Sequence, residues 1–467
     1  MAEYDAFMDF MRENKTRKDA LLPVTTSMIQ HPTGYMYLDY MNGSYLTVND
    51  EDEQPIYTYH NVGITEGSVQ VLISKSQGGK TSLATSMGQG IIEPWVSDPV
   101  MRTFMAADLN PKVEMTGRPF IQIFDTEKTL PLDYVKKITQ YRNKELKRHV
   151  VINPITTDKD LMSGIEQHIR FKTSTMQEIL MPVNDLFGKP IRCYPPTVVI
   201  IDSMSQLLLT ETDNPGMDSY DKIIQNTAGA RRAKIISAIY SQLVNYAKRY
   251  NIIIFSINHI NKMPAMNGVP VKQYRGLKMG ETIGGGEKAI FLAAGILRLD
   301  VIKTIGGTSS SSLQLGEDEY GDTIKGHVAI ANWIKSKTNA RNNTCQLVYT
   351  NIAGYDRMLS LLWNGKETED LSKSGNFYYI DKYPNIKFTM KTARETFMKH
   401  SELFVPTYLQ FRDKCEKLLD NPEHAAKKNE ELLKDLKDDL KDEVQSGNYS
   451  HSDANELEDI FNSVYNS

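Results

Sequence analysis

The stretch SVQVLISKSQGGKT (residues 68–81) joins an apolar, β-branched run to a tight Gly/Ser loop, after which Lys80 and Thr81 open an amphipathic segment. Strand, loop and helix in that order is the setting in which the P-loop pattern G-x-x-x-x-G-K-[ST] grips phosphate. Successive backbone N–H groups turn inward there, at a helix N-terminus that already carries partial positive charge. On this reading Ser76, Gln77, Gly78 and Gly79, with Lys80, Thr81 and Ser82, surround the phosphates of a nucleotide. Lys80 reaches the outer phosphates and the Thr81 hydroxyl ligates Mg²⁺. Ser74 stands where the pattern has its first glycine. A serine there is expected to take a backbone angle that glycine tolerates, at a cost of about 1 kcal/mol.

Outward from this stretch, short apolar runs alternate with helical patterns as far as about Tyr355, which predicts a mostly parallel sheet covered by helices. Strands are expected at 68–73, 120–125, 149–153, 197–202 and 252–258. Three later runs, GILRLDV, HVAIANWIKSK and QLVYTNI, read as antiparallel additions, with 302–323 a flexible hairpin excursion. A short N-terminal helix is expected at 4–20 and an acidic loop at 49–55. Beyond residue 356, NFYYIDKYPNIKF (376–388) suggests a small hairpin, followed by helices at 391–400 and 405–419. The expected organisation is thus an N-terminal oligomerisation segment (1–33), a core (34–355), a small α+β domain (356–420) and a tail (421–467), helical to about 444 and mobile after it.

With 467 residues, 40% of them hydrophobic and 24% charged, the chain has the length and composition for a large core and more than one domain. No apolar run nears the roughly 20 residues of a membrane span. The acidic, amphipathic start MAEYDAFMDFMRENK does not read as a signal peptide. Three scattered cysteines without C-x-x-C spacing argue against a zinc or disulfide framework and fit a reducing cytoplasm. Residues 421–467 hold twelve acidic and five basic side chains, a net −7, so the overall −4 leaves +3 on the rest. An acidic tail on a slightly basic body suits a nucleic-acid binder, and suits a solvated helix with a disordered end equally well.

Four further features carry chemistry. Asp202 ends the run VVIID, so a buried strand delivers a carboxylate to the Mg²⁺ position, although a strand-ending Asp also commonly caps a loop. Glu127 follows another such run in IFDTEK and could polarise an attacking water. Asn258 and His259 end the next strand, where a side chain can sense the terminal phosphate. Two long loops, 210–234 and 261–288, supply Arg231, Arg232, Lys234, Lys262, Lys272, Arg275 and Lys278, with Tyr274 among them and Gly284, Gly285 and Gly286 at the end. Cations contact phosphates without regard to sequence, and an aromatic ring stacks on bases; ordinary solvated loops are the alternative. A loop as long as the second is uncommon inside a compact domain unless it serves a function.

Taken in order, these residues resemble the RecA family of recombinases, most closely its phage UvsX-type branch, over roughly residues 32–420. HPTGYMYLDYMNG (31–43) looks like the segment before the family's P-loop strand, and FDTEKTLPLDYVKKI (124–138) like its Asp-x-Glu stretch. The resemblance implies that Glu127 is the catalytic carboxylate, that Tyr134 stacks on adenine, and that His259 in INHI senses nucleotide. Lys335 and Lys337 in IKSKT resemble paired cations that reach ATP bound to the neighbouring subunit. The implied fold is an α/β, RecA-like P-loop ATPase core with a short polymerisation segment before it and a small C-terminal domain. The implied activity is DNA-dependent ATP hydrolysis, with ATP and Mg²⁺ as cofactors. Head-to-tail filaments would form on single-stranded DNA and pair it with duplex DNA, in a bacterial host's cytoplasm if the chain is phage-encoded. A loader or mediator and a single-strand-binding protein are the accessory partners this leaves open. The chain departs from the family at Ser74, in inserts near 44–58, 154–194 and 303–323, and in its extended tail. Two alternatives share many of these residues: a hexameric RecA-like helicase or translocase, and a DNA-binding mediator that hydrolyses ATP weakly.

Overall fold

The computed structural model describes residues 29–49, 55–75, 77–97, 118–184, 190–210, 225–262, 277–278, 281–283, 286–307, 313–318, 320–338 and 344–419. The expected helix at 4–20, most of the acidic loop at 49–55 and the whole tail from 421 lie outside these residues. We number the strands of the large sheet and the helices that bear on the site in chain order. The strands are β1 (Val69–Ser74), β2 (Ile121–Asp125), β3 (Val150–Pro154), β4 (Thr197–Asp202), β5 (Ile252–Lys262), β6 (Glu281–Ile283), β7 (Gly295–Ile305), β8 (Gly326–Ser336), β9 (Thr344–Thr350) and β10 (Gly354–Asp356). The helices are α1 (Lys80–Ser97), α2 (Leu132–Thr139), α3 (Asp158–Thr175), α4 (Gln225–Tyr250) and α5 (Gly286–Leu292).

The strands lie in the order β10-β9-β8-β7-β1-β5-β4-β2-β3, with β6 paired to β5. From β7 to β3 all neighbours are parallel, while β8, β9 and β10 continue antiparallel from β7. The protein is therefore α/β, with one large mixed sheet, mostly parallel and flanked by helices. GILRLDV is a correction to the expected topology. It begins β7, which joins β1 in parallel, Gly295 opposite Gln70 through Leu299 opposite Ser74. Helix α5 lies between it and the preceding loop and returns the chain along the sheet, so the run closes a crossover instead of a hairpin.

Burial explains why the parallel strands are mostly apolar. Every residue of β1 is buried, and Val198 to Ile201 of β4 are fully so, because helices cover both faces. On one face Val69, Val71 and Ile73 pack with Leu161 and Ile165 of α3 and with Tyr240 and Leu243 of α4. On the other, α1 lies close: a Cβ on its Gly88 would stand 3.1 Å from Val198 Cγ1 and 3.5 Å from Ile121 Cδ1. The edge strand β3 is less protected, and Val151 is exposed.

The hairpin expected at 376–388 is present as Phe377–Ile380 paired with Tyr383–Phe388, with Ser372–Ser374 added as a third strand. Helices follow at Ala393–Lys399 and Phe404–Leu419. Among the described residues, those up to Cys415 belong to one compact unit and those from Glu416 onward to another. Within the first, Tyr37 donates a hydrogen bond to Asp370 at 3.1 Å, and its ring meets that of Phe411 at 6.3 Å. No described helix is long and apolar enough to cross a membrane.

Candidate active site

The parallel strands end together, which brings side chains from distant parts of the chain to one sheet edge. Asp202 is level with Asp125, and His259 with Ser74. That edge is where open α/β sheets place their ligands. Helix α1 begins there at Lys80, and the Leu83 amide bonds to the Gly79 carbonyl as its first turn closes. The loop before it takes its left-handed conformations at Gln77 and Gly79, with φ of 62° and 69°. Gly79 is also required by space, since a Cβ there would lie 2.9 Å from Tyr355 Cε2. Ser76 lies outside the described residues.

Ser74 does not carry the strain its position suggested. It is the last residue of β1, extended and fully buried, paired with both His259 and Leu299. Its hydroxyl accepts a hydrogen bond from Lys80 Nζ at 3.0 Å and donates to the Lys75 carbonyl at 2.6 Å. The cost expected for a glycine-like angle disappears because strand pairing fixes Ser74 in the β region. What the serine adds instead is a ligand for the lysine.

Lys80 is buried, which lowers its pKa, and the charges of Asp202 and Glu127 act in the opposite sense. Its Nζ also lies 3.5 Å from His259 Nδ1. An ammonium can only donate, so Nδ1 accepts and the imidazole carries its proton on Nε2. Nε2 faces Glu127 Oε1 at 3.6 Å. Burial and the Lys80 charge both depress the histidine's pKa, consistent with a neutral ring. Glu127, His259 and Lys80 thus form a chain of contacts from the turn after β2, through β5, to the start of α1.

Thr81 donates to Asp202 Oδ2 at 2.5 Å. Burial is the main cause that pushes the Asp202 carboxyl up to about 6, and the Thr81 hydrogen bond opposes it. The neighbouring Asp125 accepts from the amides of Lys128 and Leu130 at 2.8 and 3.0 Å, which shapes the turn that presents Glu127. Thr126 Oγ1 bonds to the Asp202 and Ser203 carbonyls at 2.9 and 3.0 Å and ties that turn to the end of β4.

Behind the loop, Ser82 is fully buried and accepts from the Tyr355 amide at 3.2 Å. Tyr355 Oη donates to the Gly78 carbonyl at 2.7 Å. Tyr134, half-buried on α2, lies 3.4 Å from Tyr349 Oη, and Tyr349 stacks on His327. Tyr35, in the TGYMYLD segment, donates to the Tyr355 carbonyl at 2.8 Å and accepts from the Ser86 hydroxyl of α1 at 2.9 Å. Sequence reasoning missed Tyr349, Tyr355 and Thr126. Their only signal was a polar or aromatic residue at the end of a strand, and such residues are frequent.

The cations of IKSKT lie at the opposite sheet edge. Lys337 N bonds to the Ala294 carbonyl, and the Ala294 amide to Val69, the first residue of β1. Five residues of strand, roughly 17 Å, separate that level from Ser74. Lys335 Nζ donates to the Ile290 and Phe291 carbonyls at 2.5 and 2.7 Å, at the end of α5. Burial, then the Lys337 charge, brings its pKa down to about 8. Lys337 itself is exposed.

The two basic loops leave from β4 and β5, adjacent strands, at the Lys80 edge. Arg232 is half-buried and donates to the Ser205 and Leu207 carbonyls, both at 3.1 Å, so it braces the segment after β4. Arg231 and Lys234 are in the early turns of α4, Lys234 exposed; Lys262 ends β5, and Gly286 opens α5. Lys278 is exposed. Lys272, Tyr274, Arg275, Gly284 and Gly285 lie outside the described residues. No family model matches this chain, and no curated protein matches it.

Proposed function

We propose that this protein is an ATP-dependent DNA recombinase of the RecA type, a DNA-stimulated ATPase that forms filaments on single-stranded DNA and promotes homologous pairing and strand exchange. One observation carries the reading. Lys80, Thr81, Asp202, Glu127 and His259 share one sheet edge, while Lys337 stands about 17 Å and Lys335 about 10 Å back from the level of Ser74 toward the other, counted along β1. A phosphate site that uses all of them needs a second copy, placed head to tail.

The residues present fit ATP and Mg²⁺. Thr81 and Asp202 offer one hydroxyl and one carboxylate, the sparse donor set Mg²⁺ takes when phosphate and water complete its shell. Bound there, the cation supplies charge neutralisation on the phosphate oxygens. The N–H groups that open α1 bind phosphate, and Lys80 turns from Ser74 and His259 toward it. Glu127 holds the attacking water and accepts its proton. Once Lys80 leaves Nδ1, the histidine is released on the same strand that leads into the 261–288 loop. From the neighbouring copy, Lys335 and Lys337 stabilise the charge that develops during transfer.

The outer edge of β3 also suits a head-to-tail contact. Among the described residues nothing pairs with its outer side, and Arg118, Lys147 and Arg148 rim a groove lined by Phe120, Phe171 and Val151. An acidic, aromatic segment such as residues 1–15 of another copy complements it in charge and polarity. Joint-molecule formation between homologous single-stranded and duplex DNA, requiring ATP, tests the proposal. Rings without joint molecules would indicate a helicase instead. The Ser74 hydrogen bond to Lys80 favours one secondary reading, a mediator with slow turnover, which DNA-stimulated hydrolysis at ordinary rates would exclude.

A further inference from the structure

Between β5 and β7 lies an ion cluster, centred on a buried arginine, with no direct part in the chemistry above. Arg298, on β7 level with Ile73, is 4% exposed. Its guanidinium makes two hydrogen bonds to Glu281, at 2.6 and 3.2 Å, and two to Asp300, at 2.7 and 3.2 Å. Glu281 begins β6, which pairs antiparallel with the end of β5: Ile260 with Ile283, Asn261 with Thr282, Lys262 with Glu281. Glu281 Oε2 also accepts from the Lys278 amide at 3.0 Å, and Leu277 is buried beside it in sequence. The long basic loop therefore rises from a short two-stranded stem. One strand of that stem continues directly from His259, and the other is pinned to the sheet through Arg298.

A planar fork gripping a carboxylate with two hydrogen bonds fixes orientation as well as distance. A shift of His259 passes into Ile260–Lys262 through the backbone. It reaches β6 as a defined displacement only if β6 is itself held against the sheet. We infer that Glu281, gripped by Arg298, is a positioning residue that couples the nucleotide site to the 261–288 loop, so that DNA affinity follows nucleotide state. This rests on the recombinase reading above. Glu281 is the member to remove, because Arg298 then keeps Asp300 as partner and no buried cation is left unpaired.

The test uses the full-length protein with a fluorescent single-stranded oligonucleotide, titrated with and without a non-hydrolysable ATP analogue, alongside ATPase kinetics. Glu281→Ala is expected to leave the KM for ATP and the DNA-independent rate within twofold. The DNA concentration that half-saturates the stimulation should rise at least tenfold, and the analogue should no longer tighten DNA binding. Glu281→Gln keeps one acceptor for Arg298 and should restore part of the coupling, which a role in bulk stability alone would not produce. Unchanged coupling in Glu281→Ala overturns the inference. If the parent protein shows no nucleotide-dependent DNA binding, the recombinase reading falls. Amide hydrogen exchange across Ile260–Lys262 and Glu281–Ile283 then judges the stem separately: faster exchange in Glu281→Ala sustains the positioning role, and unchanged exchange overturns it.

Discussion

Ser74→Gly would restore the consensus phosphate loop, and the structure predicts opposite effects on stability and on nucleotide affinity. The Ser74 hydroxyl is the nearest partner of Lys80 Nζ, at 3.0 Å, against 3.3 Å for the Lys75 carbonyl and 3.5 Å for the Ser74 carbonyl and His259 Nδ1. A hydrogen bond to a charged group contributes about 1.5–3 kcal/mol. A glycine at the end of a strand costs about 0.5–1 kcal/mol more in chain entropy. Lys80 retains its longer contacts, so we expect a net loss of about 2 kcal/mol in the nucleotide-free protein. For the compact unit ending at Cys415, an unfolding entropy of about 2.1 cal/mol/K per residue turns this into a drop of about 2 °C in Tm. Freed of a competing acceptor, Lys80 should meet phosphate more readily, and ATP affinity should rise by up to about tenfold, about 1.4 kcal/mol. Scanning calorimetry without ligand and titration with a fluorescent ATP analogue measure the two quantities. If neither moves, the hydroxyl does not hold the lysine. If both fall, Ser74 belongs to the nucleotide site itself.

Glu127→Gln should lower kcat by about 10²–10⁴ while leaving ATP affinity near that of the parent, measured by steady-state hydrolysis and equilibrium binding. Asp202 keeps its proton up to about 6 in the folded protein, whereas the unfolded chain releases it near 3.8. Its contribution to stability therefore declines as pH rises through that interval, while Mg²⁺-dependent ATP binding should strengthen as pH passes about 6; a flat binding profile from pH 5 to 8 would remove Asp202 from the metal position. Mixing Lys80→Ala with Lys335→Ala protein should recover hydrolysis at about a quarter of the junctions in random head-to-tail filaments, and no recovery would confine the site to one copy.

Much of the sheet was legible because β1 and β4 are buried on both faces, so between their end residues they are apolar except for Gln70. The chemistry at their ends was legible for a related reason: Asp202 directly follows the apolar run VVII, and Lys80 closes the polar, Gly-containing turn SKSQGG that follows VQVLI. The direction of β7 was not, because it depends on α5, a helix too short to announce itself between glycines and a strand. The Ser74 contact to Lys80 and the Lys335 contact to α5 were hidden differently. Each depends on where a flexible side chain finds acceptors, and no spacing rule reports that. Arg298, Glu281 and Asp300 lay in plain view as charges in apolar surroundings. Only the antiparallel pairing of β6 with β5 gives them a common purpose.

The grip of Tyr355 on the Gly78 carbonyl joins residues 277 positions apart. A ribosome must therefore deliver the last strand of the sheet before this loop gains its brace. Early products of translation, or fragments cut ahead of Gly354, should carry an intact Lys80 and yet present it on an unsupported turn. Competence for nucleotide would then depend on synthesis having passed Tyr355.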